Sequence, residues 1–259
     1  MNILDKIILH KREQIAEQQK NIPIETFFEA ANFNRKCFSL IQNLQQGNTT
    51  GIIAEFKRKS PSKGFINEHA NVLEVTTAYT NAGAAALSIL TDEYFFGGSN
   101  ADLIAARVLN IPILRKDFII SEYQIAEAKA IGADVILLIA ACLSADEVKR
   151  LAAYAVSIGL EVLLELHSEE ELEHICADTI LVGINNRNLK NFEVDINAAL
   201  AMAKLIPDTK IKIAESGISN LETIKIFSEA GYKGFLIGEN FMKEANPAIA
   251  FNNFVQNKK

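Results

Sequence analysis

The stretch GIIAEFKRKSP, residues 51–61, brings together residue types that could do chemistry. Successive side chains of a strand point to opposite faces, so Ile53, Glu55 and Lys57 share one face of the strand that this stretch predicts. A carboxylate and an ammonium on a buried strand are unfavourable unless they pair with each other or contact a ligand. The stretch alone is compatible with a structural ion pair and with a functional site.

An alternation of strands and helices after Gly51 predicts the framework that positions this pair. Short apolar runs alternate with helical patterns. Several of these patterns end at a glycine, the residue that tolerates the left-handed conformation after the last helical turn. The predicted strands are 51–57, 85–91, 112–118, 134–140, 161–166, 180–185, 211–216 and 234–239. The predicted terminating glycines are Gly83, Gly132, Gly159 and Gly231, and the predicted helix N-caps are Ser121, Ser144, Ser168 and Asn220.

Repeats of this kind, eight in about 210 residues, predict a (β/α)8 TIM barrel. An open doubly wound sheet is the alternative, but it seldom runs to so many regular parallel strands. Residues 1–48 predict a helical N-terminal extension, in which residues 1–20 form an amphipathic helix. The residues at helical intervals in that helix are Ile3, Leu4, Ile7, Ile8, Lys11 and Ile15. We expect one barrel domain over residues 1–259 that includes the extension.

Polar residues stand at the C-terminal ends of the predicted strands, where TIM barrels carry their active sites. They are Glu55, Lys57, Thr91, Asp92, Lys116, Asp117, Glu165, Asn185, Arg187, Glu215, Ser216 and Glu239. Parity places Lys116 on the same face as the apolar Leu114, and Glu165 and Glu215 likewise follow apolar residues. A satisfied ion pair explains one charged pair, but two lysines, three glutamates and an asparagine on one rim predict a catalytic site. Like charges there push pKa values apart, as acid–base chemistry requires.

Two glycine turns follow the last two predicted strands. The Ser216-Gly217 turn and the Gly238-Glu239 turn leave backbone N–H groups uncovered, and TIM barrels often bind phosphate at these two strands. A Cβ would block the approach of a phosphate, although glycines also serve simply to make turns. The pair of turns predicts phosphate binding. The sequence contains no GxGxxG or P-loop motif, which disfavours a dinucleotide or a nucleoside triphosphate.

The composition favours a small molecule as the partner. The 259 residues are 49% hydrophobic and 22% charged, with a net charge of −6, and the basic residues are spread along the chain. This pattern argues against binding to nucleic acid or to a membrane surface. No apolar run reaches the ~18 to 20 residues of a membrane span, and the N-terminus lacks a signal-peptide pattern, so we expect a cytoplasmic protein.

The cysteines and histidines show no metal-binding pattern. Cys37, Cys142 and Cys176 lie far apart and predict reduced thiols, and the histidines lack the spacing of metal ligands. We expect no metal and no cofactor. The sequence leaves the oligomeric state open, and a monomer is compatible with it.

Seven segments, in their order and spacing, resemble the indole-3-glycerol phosphate synthase family of tryptophan biosynthesis. They are IAEFKRKSPSKG, SILTDEYFFGGS, ILRKDFII, LLEL, GINNRNL, IAESGIS and FLIGENFM. The resemblance covers nearly the whole chain, and KRKSPS followed by RKDF, GINNRNL and AESGI is highly specific. It implies the ring closure of 1-(2-carboxyphenylamino)-1-deoxyribulose 5-phosphate to indole-3-glycerol phosphate, with loss of carbon dioxide and water.

The resemblance also implies the catalytic roles. Lys116 would be the general acid that protonates the ribulose carbonyl oxygen as the anthranilate carbon attacks it, because the developing alkoxide needs a nearby proton or positive charge. Glu165 would be the general base, and Lys57 would assist dehydration and balance the substrate carboxylate. The residues that would orient these groups and the sugar hydroxyls are Glu55, Asn185 and Glu215.

The binding residues follow from the same resemblance. Ser60 and Arg187 would contact the substrate. Phe96 and Phe118 lie in loops that could flank the anthranilate ring, although phenylalanines in barrel loops are also ordinary packing residues. The residues that would bind phosphate, largely through backbone amides, are Ser216, Gly217, Gly238 and Glu239.

Two residues depart from the family pattern. Glu239 stands where many members have serine, and its carboxylate would repel phosphate unless it points away. Arg115 replaces an apolar residue before Lys116, and its parity places it toward the helices rather than the substrate.

Two other functions compete with this interpretation. Another phosphate-handling barrel, such as a phosphoribosyl isomerase, would be expected to lack the KRKSPS and KDF segments. A barrel that has lost catalysis and serves as a binding scaffold should lack some lysine or glutamate of the rim, and none is missing here. Both comparisons favour an active synthase.

Overall fold

A closed barrel of parallel strands forms the centre of the molecule in the computed structural model, which describes residues 3–187 and 194–256. Each predicted strand is confirmed within one or two residues at either end. The barrel strands are β1 (Ile52–Phe56), β2 (Ala86–Leu90), β3 (Ile113–Lys116), β4 (Val135–Ile139), β5 (Glu161–Leu166), β6 (Leu181–Asn185), β7 (Ile211–Glu215) and β8 (Tyr232–Ile237). Strands adjacent in the chain pair with each other, and β1 closes the barrel by pairing with β8, with Ile52 opposite Phe235. The predicted (β/α)8 TIM barrel is therefore confirmed.

Helices lie between the strands, after the last strand and in the N-terminal extension. They are α1 (Ile3–Asn21), α2 (Glu25–Phe28), α3 (Leu40–Gln46), α4 (Val72–Asn81), α5 (Glu93–Phe96), α6 (Asn100–Ala106), α7 (Glu122–Ile131), α8 (Ala145–Ser157), α9 (Ile196–Met202), α10 (Leu221–Glu229), α11 (Glu239–Met242) and α12 (Pro247–Gln256). The four glycines predicted to follow helices all have positive φ, between 82° and 102°. The predicted cap residues Ser121, Ser144 and Asn220 each accept a hydrogen bond from the backbone N–H three residues on.

Local structure differs from the prediction at two places. Ser168 precedes a 3-10 helix, Glu169–His174, and its side chain makes no cap hydrogen bond, so the prediction of an N-cap there is wrong. An antiparallel hairpin of Lys59–Ser60 with Gly64–Phe65 follows β1 and was not predicted. Such strands are too short to show a periodic pattern in sequence.

Strand parity divides the barrel strands between two apolar layers. Ile53 packs with Leu114, Leu163 and other alternate residues in the barrel interior. Ile52 and its neighbours of the same parity pack outward, against the helices. The strand ends just above the interior layer therefore carry the side chains that point into the barrel mouth.

The extension contacts both ends of the barrel. Leu40 and Leu44 of α3 join the interior layer at the N-terminal end, whereas α1 lies at the C-terminal end. Parts of two sequence predictions, residues 1–2 of the extension and residues 188–189 of the GINNRNL motif, lie outside the described residues. Within the part of the chain that is described, no helix has both the length and the apolar composition needed to cross a membrane.

Candidate active site

A single cavity at the C-terminal ends of the strands brings together all the residues predicted for the site. They are Glu55, Lys57, Ser60, Phe96, Lys116, Phe118, Glu165, Asn185, Arg187, Glu215, Ser216, Gly217, Gly238 and Glu239. We call this cavity the rim pocket. Residues far apart in the chain meet there because each follows a different strand of the closed barrel.

Lys116, the last residue of β3, places its ammonium between carboxylates of two other strands. Its Nζ lies 3.1 Å from Glu165 Oε2 and 3.8 Å from Glu215 Oε2. Asn185 Nδ2 donates a hydrogen bond of 3.1 Å to Glu165 Oε1. Each oxygen of the Glu165 carboxylate therefore has a donor, which fixes its orientation in the pocket.

Burial and charge set the proton affinities of this cluster. Burial by itself would lower the pKa of Lys116, but the nearby carboxylates of Glu165 and Glu215 outweigh it and raise the pKa. Burial would raise the pKa of Glu165, but Lys116 and His167 hold it well below its usual range. Burial and the charge of Glu165 raise the pKa of Glu215 well above its usual range. The cluster thus combines an ammonium, an ionised carboxylate and a carboxyl group whose pKa is shifted upward, as acid–base chemistry requires.

Glu55 and Lys57 form the ion pair that the first strand suggested. Lys57 Nζ lies 2.6 Å from Glu55 Oε1, and Glu55 is 4% exposed. Both side chains also line the rim pocket beside Lys116. The two interpretations of this stretch are therefore compatible, because the pair is structural in the free protein and lies at the site.

Two glycines provide the space that buried glutamates occupy. A Cβ on Gly183 of β6 would lie 2.1 Å from Glu215 Oε1, and a Cβ on Gly238 would lie 2.5 Å from Glu55 Oε1. Real Cβ contacts are not this short, so each glutamate would have to move. Sequence reasoning missed Gly183, and it explained Gly238 only by phosphate binding.

His167 is a further residue of the site that sequence reasoning missed. Its Nε2 lies 3.2 Å from Glu165 Oε1, and its Nδ1 lies 3.8 Å from Glu171 Oε2. Burial by itself would lower the pKa of His167, but Glu165 and Glu171 raise it to about 10. The signal was available, because residue 167 has the same strand parity as residue 165.

Apolar side chains cover the other side of the pocket. The rings of Phe96 and Phe118 lie with their centroids 5.9 Å apart at an interplanar angle of 38°. Ile3, Leu4 and Ile7 of α1 also line the pocket and were not predicted as site residues. Their place in the apolar stripe of an amphipathic helix predicted that they face the protein, but not which surface of the barrel they contact.

The Ser216-Gly217 turn after β7 has an unusual backbone. Among the described residues, Ser216 is the only non-glycine residue with positive φ, at 64°, and Gly217 follows with φ of 72°. Asn186 Nδ2 donates a hydrogen bond of 2.8 Å to the Ser216 carbonyl oxygen. Strained backbone of this kind is concentrated at ligand sites and is held by its surroundings.

The carboxylate of Glu239 is paired with two cations at the pocket wall. Glu239 Oε1 lies 2.6 Å from Lys63 Nζ, and Oε2 lies 3.3 Å from Arg187 Nη2. The side chain is therefore neutralised rather than free to repel an anion. Ser60 is buried at the start of the hairpin, with its Oγ 3.5 Å from Ser62 Oγ.

Some polar residues of the rim belong to a network beside the pocket. Thr91 Oγ1 donates a hydrogen bond of 2.6 Å to Asp117 Oδ2 and accepts one of 3.0 Å from Arg115 Nε. Arg115 also pairs with Glu127 of α7 at 2.6 Å, which confirms that it faces the helices. Among the described residues, no group of three or more His, Cys, Asp or Glu side chains is arranged to hold a metal ion.

Comparison with known sequences decides the family. A family model described as indole-3-glycerol phosphate synthase matches residues 4–254. The chain belongs to the indole-3-glycerol phosphate synthase family. A curated relative of that name from Bacteroides thetaiotaomicron is 47% identical over 256 residues, which are 98% of each chain. The chain is thus a carboxy-lyase of tryptophan biosynthesis by family, and the resemblance seen in its motifs is confirmed.

Solved structures of low sequence identity share the barrel alone. One is 3-hexulose-6-phosphate synthase, at a TM-score of 0.62 and 14% identity over 79% of this chain and 98% of that one. Another belongs to the tryptophan synthase complex of Pyrococcus furiosus, at a TM-score of 0.59 and 16% identity over 79% of this chain and 96% of that one. At these identities the likeness shows the fold and nothing of the reaction.

Proposed function

We propose that the rim pocket carries out the ring closure of 1-(2-carboxyphenylamino)-1-deoxyribulose 5-phosphate to indole-3-glycerol phosphate, with release of carbon dioxide and water. The observation that carries this proposal is the position of Lys116 between Glu165 and Glu215 at the strand ends. An ammonium held in a buried site by carboxylates can protonate or stabilise an alkoxide as it develops.

Lys116 acts as the general acid on the ribulose carbonyl oxygen when the anthranilate carbon attacks. Its raised pKa supports this role, because the acid has to be protonated before the reaction begins. Glu165 acts as the general base, and its lowered pKa keeps it ionised and able to accept a proton. Asn185 and Glu215 orient these two groups, and Glu215 also lines the pocket where it can orient a sugar hydroxyl through a hydrogen bond.

Lys57 balances the substrate carboxylate and assists the dehydration step. In the free protein its ammonium is 2.6 Å from Glu55, so a substrate carboxylate would share or replace that partner. Glu55 then holds Lys57 in place rather than reacting. This assignment gives each lysine of the pocket a different part of the substrate.

The phosphate binds at the turns after β7 and β8. The left-handed backbone of Ser216 and Gly217 and the lack of a side chain at Gly238 favour contact through backbone N–H groups. Glu239 contributes its N–H, because its carboxylate pairs with Lys63 and Arg187.

The anthranilate ring and the sugar occupy the remaining walls of the pocket. Phe96 and Phe118 supply an apolar surface for the ring, since both line the pocket and their rings are in contact. Ser60 and Arg187 contact the polar part of the substrate. We further propose that residues 1–259 form one domain that acts in the cytoplasm without metal or cofactor.

The test is conversion of the carboxyphenylamino substrate to a fluorescent indole product by purified protein without added metal. The wild type is expected to form the product. In Glu165→Gln, turnover is expected to fall about 100-fold or more, the lower range for loss of a general acid–base group. Glu244→Gln, at an exposed position, is the matched control and should behave as the wild type.

Each outcome decides a different part of the proposal. A wild-type protein that forms no indole product would refute the proposed reaction. A Glu165→Gln variant with the turnover of the wild type would remove Glu165 from the role of base and leave the reaction itself in place.

A further inference from the structure

Lys11, in the third turn of α1, is a buried cation with no role in the proposed chemistry. Its side chain is 3% exposed, and its Nζ lies 2.9 Å from Asp92 Oδ2 and 2.9 Å from Asp117 Oδ1. Burial by itself would lower the pKa of Lys11, but the two carboxylates outweigh it and raise the pKa. Because an unpaired buried charge is strongly unfavourable, the ammonium and both carboxylates have to stay together.

The two carboxylates belong to the loops that carry the aromatic walls of the rim pocket. Asp92 follows β2 and caps α5, whose last residue is Phe96, by accepting a hydrogen bond of 2.7 Å from a backbone N–H. Asp117 accepts a hydrogen bond of 2.8 Å from the backbone N–H of Phe118. The carboxylates that bind Lys11 therefore also fix the backbone next to both rings.

The helix that carries Lys11 forms the apolar cover of the same pocket. Ile7 lies one turn before Lys11, so the two residues share a face of α1. Ile7 lines the pocket together with Ile3 and Leu4. One ammonium thus joins the cover of the pocket to two of its walls.

We propose that Lys11 is a positioning residue that holds α1 over the rim pocket and fixes the two loops with aromatic side chains. The inference rests on the proposed use of this pocket as the substrate site. Lys11 touches no reacting atom and acts through Asp92 and Asp117. Lys116 is held by Glu165 and Glu215 rather than by the carboxylates that bind Lys11. Loss of Lys11 therefore weakens substrate binding more than it disturbs Lys116 as the acid.

Other contacts anchor the extension, so the barrel does not depend on Lys11 alone. Arg35 pairs with Asp134 at 2.7 Å, and Glu161 accepts a hydrogen bond of 2.9 Å from the backbone N–H of Leu40. These contacts lie at the opposite end of the barrel from the rim pocket. A change at Lys11 can therefore loosen the cover while the rest of the extension stays attached.

The experiment compares steady-state kinetics of Lys11→Met with those of the wild type, at a temperature where circular dichroism shows both to be folded. Methionine keeps an unbranched apolar stem and removes the charge. We expect KM to rise about tenfold or more and kcat to change less than about threefold, because lost substrate binding raises KM without lowering kcat. Lys11→Arg keeps the charge and should restore most of the affinity. Lys20→Met, on the same helix with a side chain 70% exposed, is the control.

A second variant covers the case in which Lys11→Met does not fold. The double variant Lys11→Met with Asp92→Asn removes the ammonium and one of its two carboxylates. Asparagine at position 92 can still cap α5. The other carboxylate, Asp117, keeps Arg115 and Thr91 as partners. This double variant should fold and show the same increase in KM. Failure of both variants to fold would overturn the proposal, because Lys11 would then be required for the fold rather than for substrate binding.

The kinetic outcomes are equally decisive. If the wild type is active and a folded variant has an unchanged KM, the proposal for Lys11 is overturned and the proposed reaction still stands. A fall in kcat at unchanged KM also overturns it, because Lys11 would then act on the acid. An inactive wild type overturns the proposed reaction, and this inference with it.

Discussion

The two ends of the barrel are both covered by the N-terminal extension, but with opposite chemistry. At the N-terminal end, Leu40 and Leu44 of α3 fill the interior, and the Glu161 carboxylate accepts hydrogen bonds from the first backbone N–H groups of that helix. At the C-terminal end, α1 covers a pocket lined by lysines and glutamates. Apolar packing in the interior favours stability, whereas charges held in a pocket favour catalysis at the expense of stability.

Lys116→Ala should give the largest effect and should act on catalysis. Without the ammonium, the developing alkoxide loses its proton donor, and turnover is expected to fall about 100-fold or more. The measurement is the initial rate of indole fluorescence at saturating substrate. Lys204→Ala, at an exposed position, is the control. Turnover close to that of the wild type in Lys116→Ala would assign the acid role to another residue.

Leu40→Ala should show the reverse behaviour at the opposite end. Leu40 is fully buried, and truncation of a buried leucine lowers the free energy of unfolding by about 3 kcal/mol. Turnover at a temperature where the variant is folded should stay within about twofold of the wild type, since the cavity lies far from the charges. Urea unfolding measures the change in the free energy of unfolding. Leu205→Ala, at a position 50% exposed, is the control. A large loss of turnover would show that the two ends are coupled.

His167→Gln tests whether the charged end also contributes to stability. The pKa of His167 is raised to about 10 in the folded protein. Because the pKa is higher in the folded than in the unfolded protein, protonation of His167 contributes to the free energy of unfolding. This contribution is fully present below the pKa of the unfolded state, about 6.5, and is lost as the pH rises through the pKa of the folded state. The variant should be less stable than the wild type by about 3 kcal/mol at pH 6, because a buried ion pair loses one partner. The difference should shrink steadily up to pH 10, as measured by urea unfolding at several pH values. A difference independent of pH would contradict the imidazolium charge.

Gly183→Ala should give a smaller effect on turnover. It tests the space around the Glu215 side chain without changing any charge. The added methyl group displaces the Glu215 carboxyl group, and turnover is expected to fall about tenfold because the groups around Lys116 lose their geometry. Gly47→Ala is the control for an added methyl group, because no atom lies within 4 Å of a Cβ at Gly47, although its φ of 67° makes alanine strained there. That control should lower stability and leave turnover unchanged. Equal turnover in both variants would show that Glu215 can move without consequence.

Sequence reasoning found much of the site because strand parity is a local property. The alternation of Ile53, Glu55 and Lys57 assigned the two charges to the inner face, and the structure has them there. The same rule applied to Glu165 could have found His167, since the two residues differ by two positions. It could not predict that His167 contacts Glu171, because the chain leaves the strand between these two residues.

The sequence by itself determined the order of the strands and the main helices, the stop of four helices at a glycine and the face that each charged residue of the rim occupies. These features depend on backbone conformation and on side-chain alternation within a few residues. Only the tertiary structure decided which charges meet. Lys11 reaches Asp92 and Asp117, and Gly183 makes room for Glu215, across distances in the chain that local patterns cannot specify. Closure of the barrel and the path of α1 across its mouth set those contacts.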